Sequence, residues 1–258
     1  RVHYEPTWES LDQHQTPEWF MDAKLGFFIY PPHPTQGEWD AYWMREDSRA
    51  GREYEPRKYI YSFGSWETGP WDPDGLAQLA VDAGARYLVF CIDAVSFFLT
   101  CPSRYADLPD SPWTRMGGID GPRDYVGEIA EAVRSRGLHF GIYRNIYRSS
   151  EKKYWLESMC ELIDRYQPST LWLDEEKFKY PTEELMGREL LAHYYNHSKN
   201  PGEVACEDAL GSYKQPTIGK RLVHGDWYRR EVSHSPVATE ISDGYYVRYE
   251  DLLRRPER

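Results

Sequence analysis

Leu171-Trp172-Leu173-Asp174 is the stretch that decides the fold of this chain, because it ends the apolar run Ser169 to Leu173 with a carboxylate. A short apolar run of this kind is typical of a parallel strand that is covered on both faces. Asp174 then stands where the strand gives way to a loop, and in α/β barrels such loops build the active site. The pattern indicates a nucleophile at Asp174. The other interpretation is an acid that caps the following helix.

Apolar runs of similar length recur along the chain and alternate with helix-like segments. The predicted strands are Gly26–Tyr30, Arg86–Ile92, His139–Arg144, Thr170–Asp174 and Val204–Glu207. The predicted helices run from Asp72-Pro73 to Gly84, from Pro122 to Gly137, from about Trp155 to the residue before Pro168, and from about Glu183 to Asn196. Repeated β-then-α units predict a parallel barrel or a doubly wound sheet.

The apolar spacing within three of these helices predicts the side that each one buries. The first is expected to bury Leu76, Leu79, Ala80 and Ala83; the second Val126, Ile129 and Val133; the third Trp155, Met159, Leu162, Ile163 and Tyr166.

The length of 258 residues is close to the ~250 of one eight-stranded α/β barrel and allows one large core. No Gly-rich phosphate loop opens any predicted helix, which disfavours a nucleotide-binding doubly wound sheet. We therefore predict an α/β fold, a (β/α)8-type barrel. After Glu231 only one weak strand, Gly244–Tyr249, is evident, so we expect the barrel to be incomplete or irregular near its C-terminus.

The composition excludes several classes of partner. The net charge of −11 argues against nucleic acid or anionic lipid, and no apolar run approaches the ~18 residues of a membrane span. The 10 Trp and 21 Tyr raise the aromatic content to 16%. Such rings line sugar-binding clefts, because the apolar face of a pyranose stacks on them. A large aromatic core explains the same number equally well.

The four cysteines and the three histidines His14, His33 and His224 lack the spacing of metal ligands. Cys91, Cys101, Cys160 and Cys206 form no CxxC pair, so we expect buried thiols rather than a disulfide framework. We expect His14, His33 and His224 to lie on the surface.

Taken in order, several segments resemble glycoside hydrolase family 29, the α-L-fucosidases. They are Pro6–Leu11, Pro17–Ile29, Gly37-Glu38-Trp39 with Met44, Asp82–Tyr87, Arg123–Val126, Gly137–Tyr143 and Leu171–Asp174. The resemblance implies a single glycoside-hydrolase-like barrel domain over residues 1–258, a carbohydrate substrate and no cofactor or metal. It favours a secreted, periplasmic or lysosome-like compartment and leaves the oligomeric state open.

The resemblance also implies a retaining mechanism, in which Asp174 is the nucleophile. The acid/base of the bacterial enzymes lies on a segment that Asp226–Glu231 resembles, which points to Glu231, while Glu207 and Glu240 are rival acids. Asp174 must be ionised to attack the anomeric carbon, and the acid must hold a proton for the leaving oxygen. In retaining enzymes the two carboxyl groups lie ~5–5.5 Å apart, and their repulsion raises the pKa of one of them.

The chain departs from the family where the sugar is held. Tyr30-Pro31-Pro32 replaces a His-Trp-Gly segment, Asp93-Ala94 replaces a pair of histidines, and Glu207–Gly211 replaces a segment that carries an arginine. We therefore expect a rewritten sugar pocket. Its predicted lining is Tyr30, Trp39, Asp93, Tyr143, Trp172 and Glu207. For the aromatic residues the alternative is packing in the core, and for Asp93 it is capping of the loop Ala94–Phe98.

The function predicted from sequence is that of a retaining exo-α-glycosidase acting on terminal α-L-fucosides or a related deoxy or substituted sugar. One alternative is a catalytically impaired relative that binds carbohydrate but lacks a competent acid. The other is a metal-dependent barrel enzyme, since Asp174-Glu175-Glu176 and Glu207-Asp208 supply carboxylates at two neighbouring strand ends. Adjacent residues of a strand point to opposite sides, which limits how many of these oxygens could share one ion.

Overall fold

The computed structural model describes residues 2–23, 25–29, 36–53, 55, 71–94, 98–115, 123–144, 153–173 and 186–207. The strands are β1 (Gly26–Ile29), β2 (Tyr87–Cys91), β3 (Asp93–Ala94), β4 (Phe98–Leu99), β5 (Thr114–Arg115), β6 (His139–Arg144), β7 (Thr170–Leu173) and β8 (Ala205–Glu207). The helices are α1 (Trp8–Leu11), α2 (Glu18–Asp22), α3 (Gln36–Arg49), α4 (Pro73–Asp82), α5 (Tyr125–Ser135), α6 (Trp155–Tyr166) and α7 (Gly187–His197).

The main sheet has five strands in the order β1-β2-β6-β7-β8, and every neighbouring pair is parallel. All five predicted strands are thus confirmed, as is the α/β class. The order across the sheet follows the order along the chain. A barrel requires this, whereas a doubly wound sheet reverses its order at a switch point. A second, small sheet of order β3-β4-β5 follows the carboxyl end of β2.

Local sequence explains where the helices begin and end. The Asp72 carboxylate accepts a hydrogen bond from the Gly75 amide at 2.8 Å, and Asp124 caps α5 in the same way through Gly127 at 2.9 Å. Gly84 and Gly137 follow α4 and α5 with φ of +80° and +75°, the left-handed conformation that terminates a helix. The starts of α5 at Tyr125 and of α7 at Gly187 are both later than predicted, and the cap of α5 is Asp124 where the prediction began the helix at Pro122.

The main core lies between the sheet and the helices α4 to α7. All the side chains predicted to be buried on α5 and α6 are buried. On α4 the prediction was wrong for Leu79, which is 56% exposed, and for Ala83, which is also exposed. The buried residues there are Ala77 and Ala80, so the helix presents a face rotated by one position from the predicted one.

The four cysteines are thiols outside any disulfide; Cys91, Cys101 and Cys206 are buried and Cys160 is half-buried. The prediction that His14 lies on the surface was wrong. Its ring stacks on Tyr195 with centroids 3.8 Å apart, and its Nε2 lies 2.8 Å from the Pro201 carbonyl oxygen. Burial lowers the pKa of His14. In the described part of the chain, no helix combines the length and the apolar character needed to cross a bilayer.

Gly141 in the middle of β6 provides a test of this packing. A Cβ at this position would collide with Cγ2 of Thr170 and lie 3.0 Å from Cγ2 of Val89. We expect Gly141→Ala to lower the free energy of unfolding by roughly 1–3 kcal/mol, because the added methyl group overpacks the site. Urea titration measures this change. Gly202→Ala is the control, because its Cβ would meet open space and should change stability by less than ~0.5 kcal/mol. Equal effects of the two substitutions would contradict the described register of β6 and β7.

Candidate active site

The inner face of the sheet carries two layers of side chains, set by strand register. The upper layer, at the carboxyl ends of the strands, consists of Cys91, Tyr143 and Trp172, which are partners across β2, β6 and β7; the backbone of Glu207 in β8 pairs with that of Trp172. The lower layer consists of Val89, Gly141, Thr170 and Ala205. Side chains two residues apart share a face, so small residues lie beneath large ones.

Three aromatic rings meet on this inner face. Tyr143 and Trp172 lie edge to face, with centroids 4.9 Å apart and planes at 79°. Phe28 of β1 approaches both, at 4.9 Å from Tyr143 and 4.7 Å from Trp172. Tyr143 and Trp172 are buried, whereas Phe28 is 36% exposed. We call Phe28, Tyr143 and Trp172 the aromatic triad.

The triad is separate from the main core. Val89, Cys91, Tyr143 and Trp172 form their own small cluster on the side of the sheet away from the helices. An aromatic surface there suits the apolar face of a pyranose ring. Tyr143 and Trp172, both predicted as pocket residues, are therefore adjacent at the carboxyl ends of neighbouring strands. The sequence prediction missed Phe28. Because Phe28 lies two residues before Tyr30 in the predicted strand, alternation places it on the same face as that predicted pocket residue.

A buried ion pair stands beside this layer. Asp93, in β3, is 3% exposed, and its Oδ2 lies 3.4 Å from Nε of Arg144, the last residue of β6. The Sγ of Cys91 donates to the backbone oxygen of Asp93 at 3.4 Å and so connects the pair to the upper layer. The alternative role of Asp93, capping of the loop Ala94–Phe98, involves residues 95–97, which lie outside the described residues.

Arg144 is held by aromatic and polar contacts on the helix side of the sheet. Its guanidinium carbon lies 4.3 Å from the ring centroid of Trp113 and 5.3 Å from that of Trp155. Its Nη1 donates to Oγ of Ser158 at 2.8 Å. A planar guanidinium suits such stacking, which an ammonium group would not reproduce. Arg144 was predicted only as the end of a strand; a charged residue that ends an apolar strand is the sequence signal that could have indicated a buried ion pair.

The electrostatics of Asp93 are dominated by burial. Loss of hydration raises the pKa of this carboxyl from 3.8 to about 6, and the positive charge of Arg144 only partly opposes the effect. Its second oxygen, Oδ1, has no hydrogen-bond partner among the described residues, and the same holds for Nη2 of Arg144. Two buried polar atoms thus remain available to a further polar group.

The other predicted site residues are described in part or not at all. Asp174, Glu231, Glu240 and Tyr30 lie outside the described residues. The backbone places Trp39 in α3 and Glu207 at the end of β8, and their side chains are not described. Leu173, directly before Asp174 in sequence, ends β7 at the level of Arg144.

Together these features define an α/β barrel whose candidate active site lies at the carboxyl ends of its parallel strands. The chain belongs to the alpha-L-fucosidase family, which it matches over residues 1–235. It is 27% identical to tissue alpha-L-fucosidase of Rattus norvegicus over 91% of this chain and 54% of that protein. It is 28% identical to plasma alpha-L-fucosidase of Homo sapiens over 90% of this chain and 54% of that protein.

A solved structure of Thermotoga maritima alpha-fucosidase in complex with fucose has a similar fold. The identity is 28% and the TM-score 0.56, over 82% of this chain and 58% of that one. This likeness confirms the predicted barrel class. The chain spans about half the length of the curated relatives that it matches.

The titration of Asp93 gives a prediction for Asp93→Asn, which keeps the shape of the carboxyl group but cannot ionise. Because the folded-state pKa of about 6 lies above the ordinary 3.8, the folded wild type binds an extra proton between these values. The contribution of Asp93 to the free energy of unfolding is therefore least favourable above pH 6 and becomes more favourable as the pH falls. Between pH 7 and pH 4.5 we expect the wild type to gain roughly 2 kcal/mol relative to the variant.

Urea unfolding of both proteins at several pH values measures this gain. Asp82→Asn is the control, since this exposed carboxylate contacts only the Gln78 side chain among its described hydrogen bonds. Parallel stability curves for wild type and Asp93→Asn would show that Asp93 titrates normally.

Proposed function

We propose that this chain is the barrel of a retaining exo-α-glycosidase that hydrolyses terminal α-L-fucosides or a related deoxy or substituted sugar. The observation that carries the proposal is the upper layer of the sheet. There Tyr143 and Trp172 stand side by side at the carboxyl edge, and Asp174 follows Trp172 by two residues in the sequence. Family membership supports the same chemistry.

The proposed reaction has two steps. Asp174 attacks the anomeric carbon while Glu231 protonates the oxygen of the leaving group, which gives a covalent glycosyl–enzyme ester. Glu231 then removes a proton from water, which displaces Asp174 and restores the original anomeric configuration. Glu207 and Glu240 remain alternatives for the acid/base role.

The side chains at the carboxyl edge provide the proposed binding surface. The aromatic triad would accept the apolar face of the sugar. Tyr30, Trp39 and Glu207 would complete the pocket. Oδ1 of Asp93 would accept a hydrogen bond from a sugar hydroxyl, in place of the family's histidine pair. A carboxylate that already pairs with Arg144 binds differently from an imidazole, so we expect a sugar preference that differs from that of the relatives.

A second candidate is a carbohydrate-binding relative with impaired catalysis. The observation that favours it is the ion pair itself, because Arg144 engages the Asp93 oxygen Oδ2 at the position of a family histidine. Such a protein would bind the sugar through the triad but would show no turnover.

Substitution of the proposed nucleophile tests the proposal. With a panel of aryl glycosides led by the α-L-fucoside, we expect turnover by the wild type and a loss of several orders of magnitude in Asp174→Ala, because no other group replaces the covalent step. Added azide should partly restore the rate of the variant and yield the glycosyl azide of inverted configuration. Asp82→Ala, which removes an exposed carboxylate of α4, should retain wild-type activity.

Two results would count against the proposal. Turnover that survives Asp174→Ala would exclude this residue as the nucleophile. Folded wild-type protein that hydrolyses no glycoside of the panel, yet binds the sugar in calorimetry, would favour the impaired relative.

A further inference from the structure

Asp164 of α6 and two histidines of α7, His193 and His197, form a cluster far from the candidate active site. In the described part of the chain, this is the one group of three carboxylate, thiol or imidazole side chains close enough to share an ion. Both helices end just before strands begin, α6 before β7 and α7 before β8. The cluster therefore lies toward the amino-terminal edge of the barrel, opposite the edge that carries the aromatic triad.

Helix periodicity explains why the two histidines meet. Residues four apart lie on one face of a helix, one turn above each other. The imidazole rings of His193 and His197 accordingly stack, with centroids 3.8 Å apart and planes at 24°. Asp164 reaches them from the neighbouring helix. Its Oδ1 lies 2.8 Å from Nε2 of His193 and 3.2 Å from Nδ1 of His197.

The backbone around the cluster is tied across the two helices. Gln167, which follows α6, donates from Nε2 to the carbonyl oxygen of His197 at 3.3 Å. Its Oε1 accepts from the amide of Lys199 at 2.9 Å. The hydroxyl of Tyr194 donates to the carbonyl oxygen of Pro168 at 2.9 Å. These hydrogen bonds hold the ends of α6 and α7 together, so the backbone positions of Asp164, His193 and His197 are fixed relative to one another.

The spacing of the three ligand atoms fits a small transition ion. They all lie within 4.8 Å of one another. A tetrahedral zinc ion with bonds of ~2.0–2.2 Å separates its ligand atoms by about 3.4 Å, which small side-chain rotations achieve from this arrangement. The side chains of Asp164 and His197 are about half exposed, at 50% and 52%, so an ion and a bound water have access.

We propose that Asp164, His193 and His197 bind one divalent transition ion of the zinc class, with water as a further ligand. Two imidazole nitrogens select zinc, nickel or copper over calcium and magnesium, which prefer oxygen ligands. The ion bridges α6 and α7 and stabilises the folded barrel, because the unfolded chain does not hold the three ligands together. The site acts independently of sugar hydrolysis.

Zinc binding to chelator-treated protein tests this site. We expect one equivalent of Zn²⁺ to bind in equilibrium dialysis at pH 7.5 and to raise the melting temperature. His193→Ala, His197→Ala and Asp164→Asn should each weaken binding by at least ~10-fold, since even outer-shell changes cost that much. His3→Ala is the matched control, because His3 is an exposed imidazole that contacts Glu5 at 3.4 Å. It should bind zinc like the wild type.

The absorption spectrum of bound Co²⁺ distinguishes binding at this cluster from binding at the cysteine thiolates. Co²⁺ bound by Asp164 and two histidines gives d–d absorption without the thiolate charge-transfer band that a cysteine ligand adds. Melting of the metal-free variants verifies that they fold. The proposal would be overturned if all three variants kept the zinc affinity and the zinc-induced rise in melting temperature of the wild type. It would also be overturned if the wild type bound no zinc. In either case the cluster would only be a hydrogen-bonded contact between the carboxylate and the two imidazoles.

Discussion

The register of the parallel strands is the constraint on which the rest of this structure depends. Side chains alternate between the two faces, and the pairing of Tyr143 with Cys91 and Trp172 places all three at one level. A shift of one residue in β7 would turn Trp172 toward the helices and Leu171 toward the inner face. Gly141 and Thr170, which interlock one layer below, oppose such a shift. The aromatic triad therefore follows from backbone pairing as much as from residue type.

The same alternation explains why a charge is buried near the site. Arg144 follows Tyr143 and so faces the helices, where Trp113, Trp155 and Ser158 surround it. Its counter-charge comes from Asp93. Burial makes the ionised form of Asp93 costly, as its raised pKa shows, and the contact with Arg144 offsets only part of that cost. The pair thus couples the position of the loop after β2 to the packing of α6.

Much of this arrangement was predictable from sequence, where the signal is local. The five strands, the Asp72 cap of α4 and the glycines that end α4 and α5 follow from apolar runs and turn residues, and Tyr143 and Trp172 are named as pocket residues from their places on predicted strands. The partner of Asp93 was not predictable, because it lies on another strand and only tertiary packing selects it. The burial of His14 was not predictable for the same reason, since its stacking partner, Tyr195, belongs to a helix distant in sequence. Alternation along β1 places Phe28 on the inner face, but its contacts with Tyr143 and Trp172 depend on strand pairing across β2, which no local pattern contains.

Covalent trapping shows whether a residue at the carboxyl edge of this sheet is the nucleophile of a retaining glycosidase. A 2-deoxy-2-fluoro-L-fucosyl fluoride slows the second step of such a reaction more than the first, so the glycosyl–enzyme ester accumulates. Mass spectrometry of the digested protein then locates the label. We expect one fluorosugar per chain, attached to Asp174. An active enzyme labelled on another carboxylate, or not labelled at all, would contradict it.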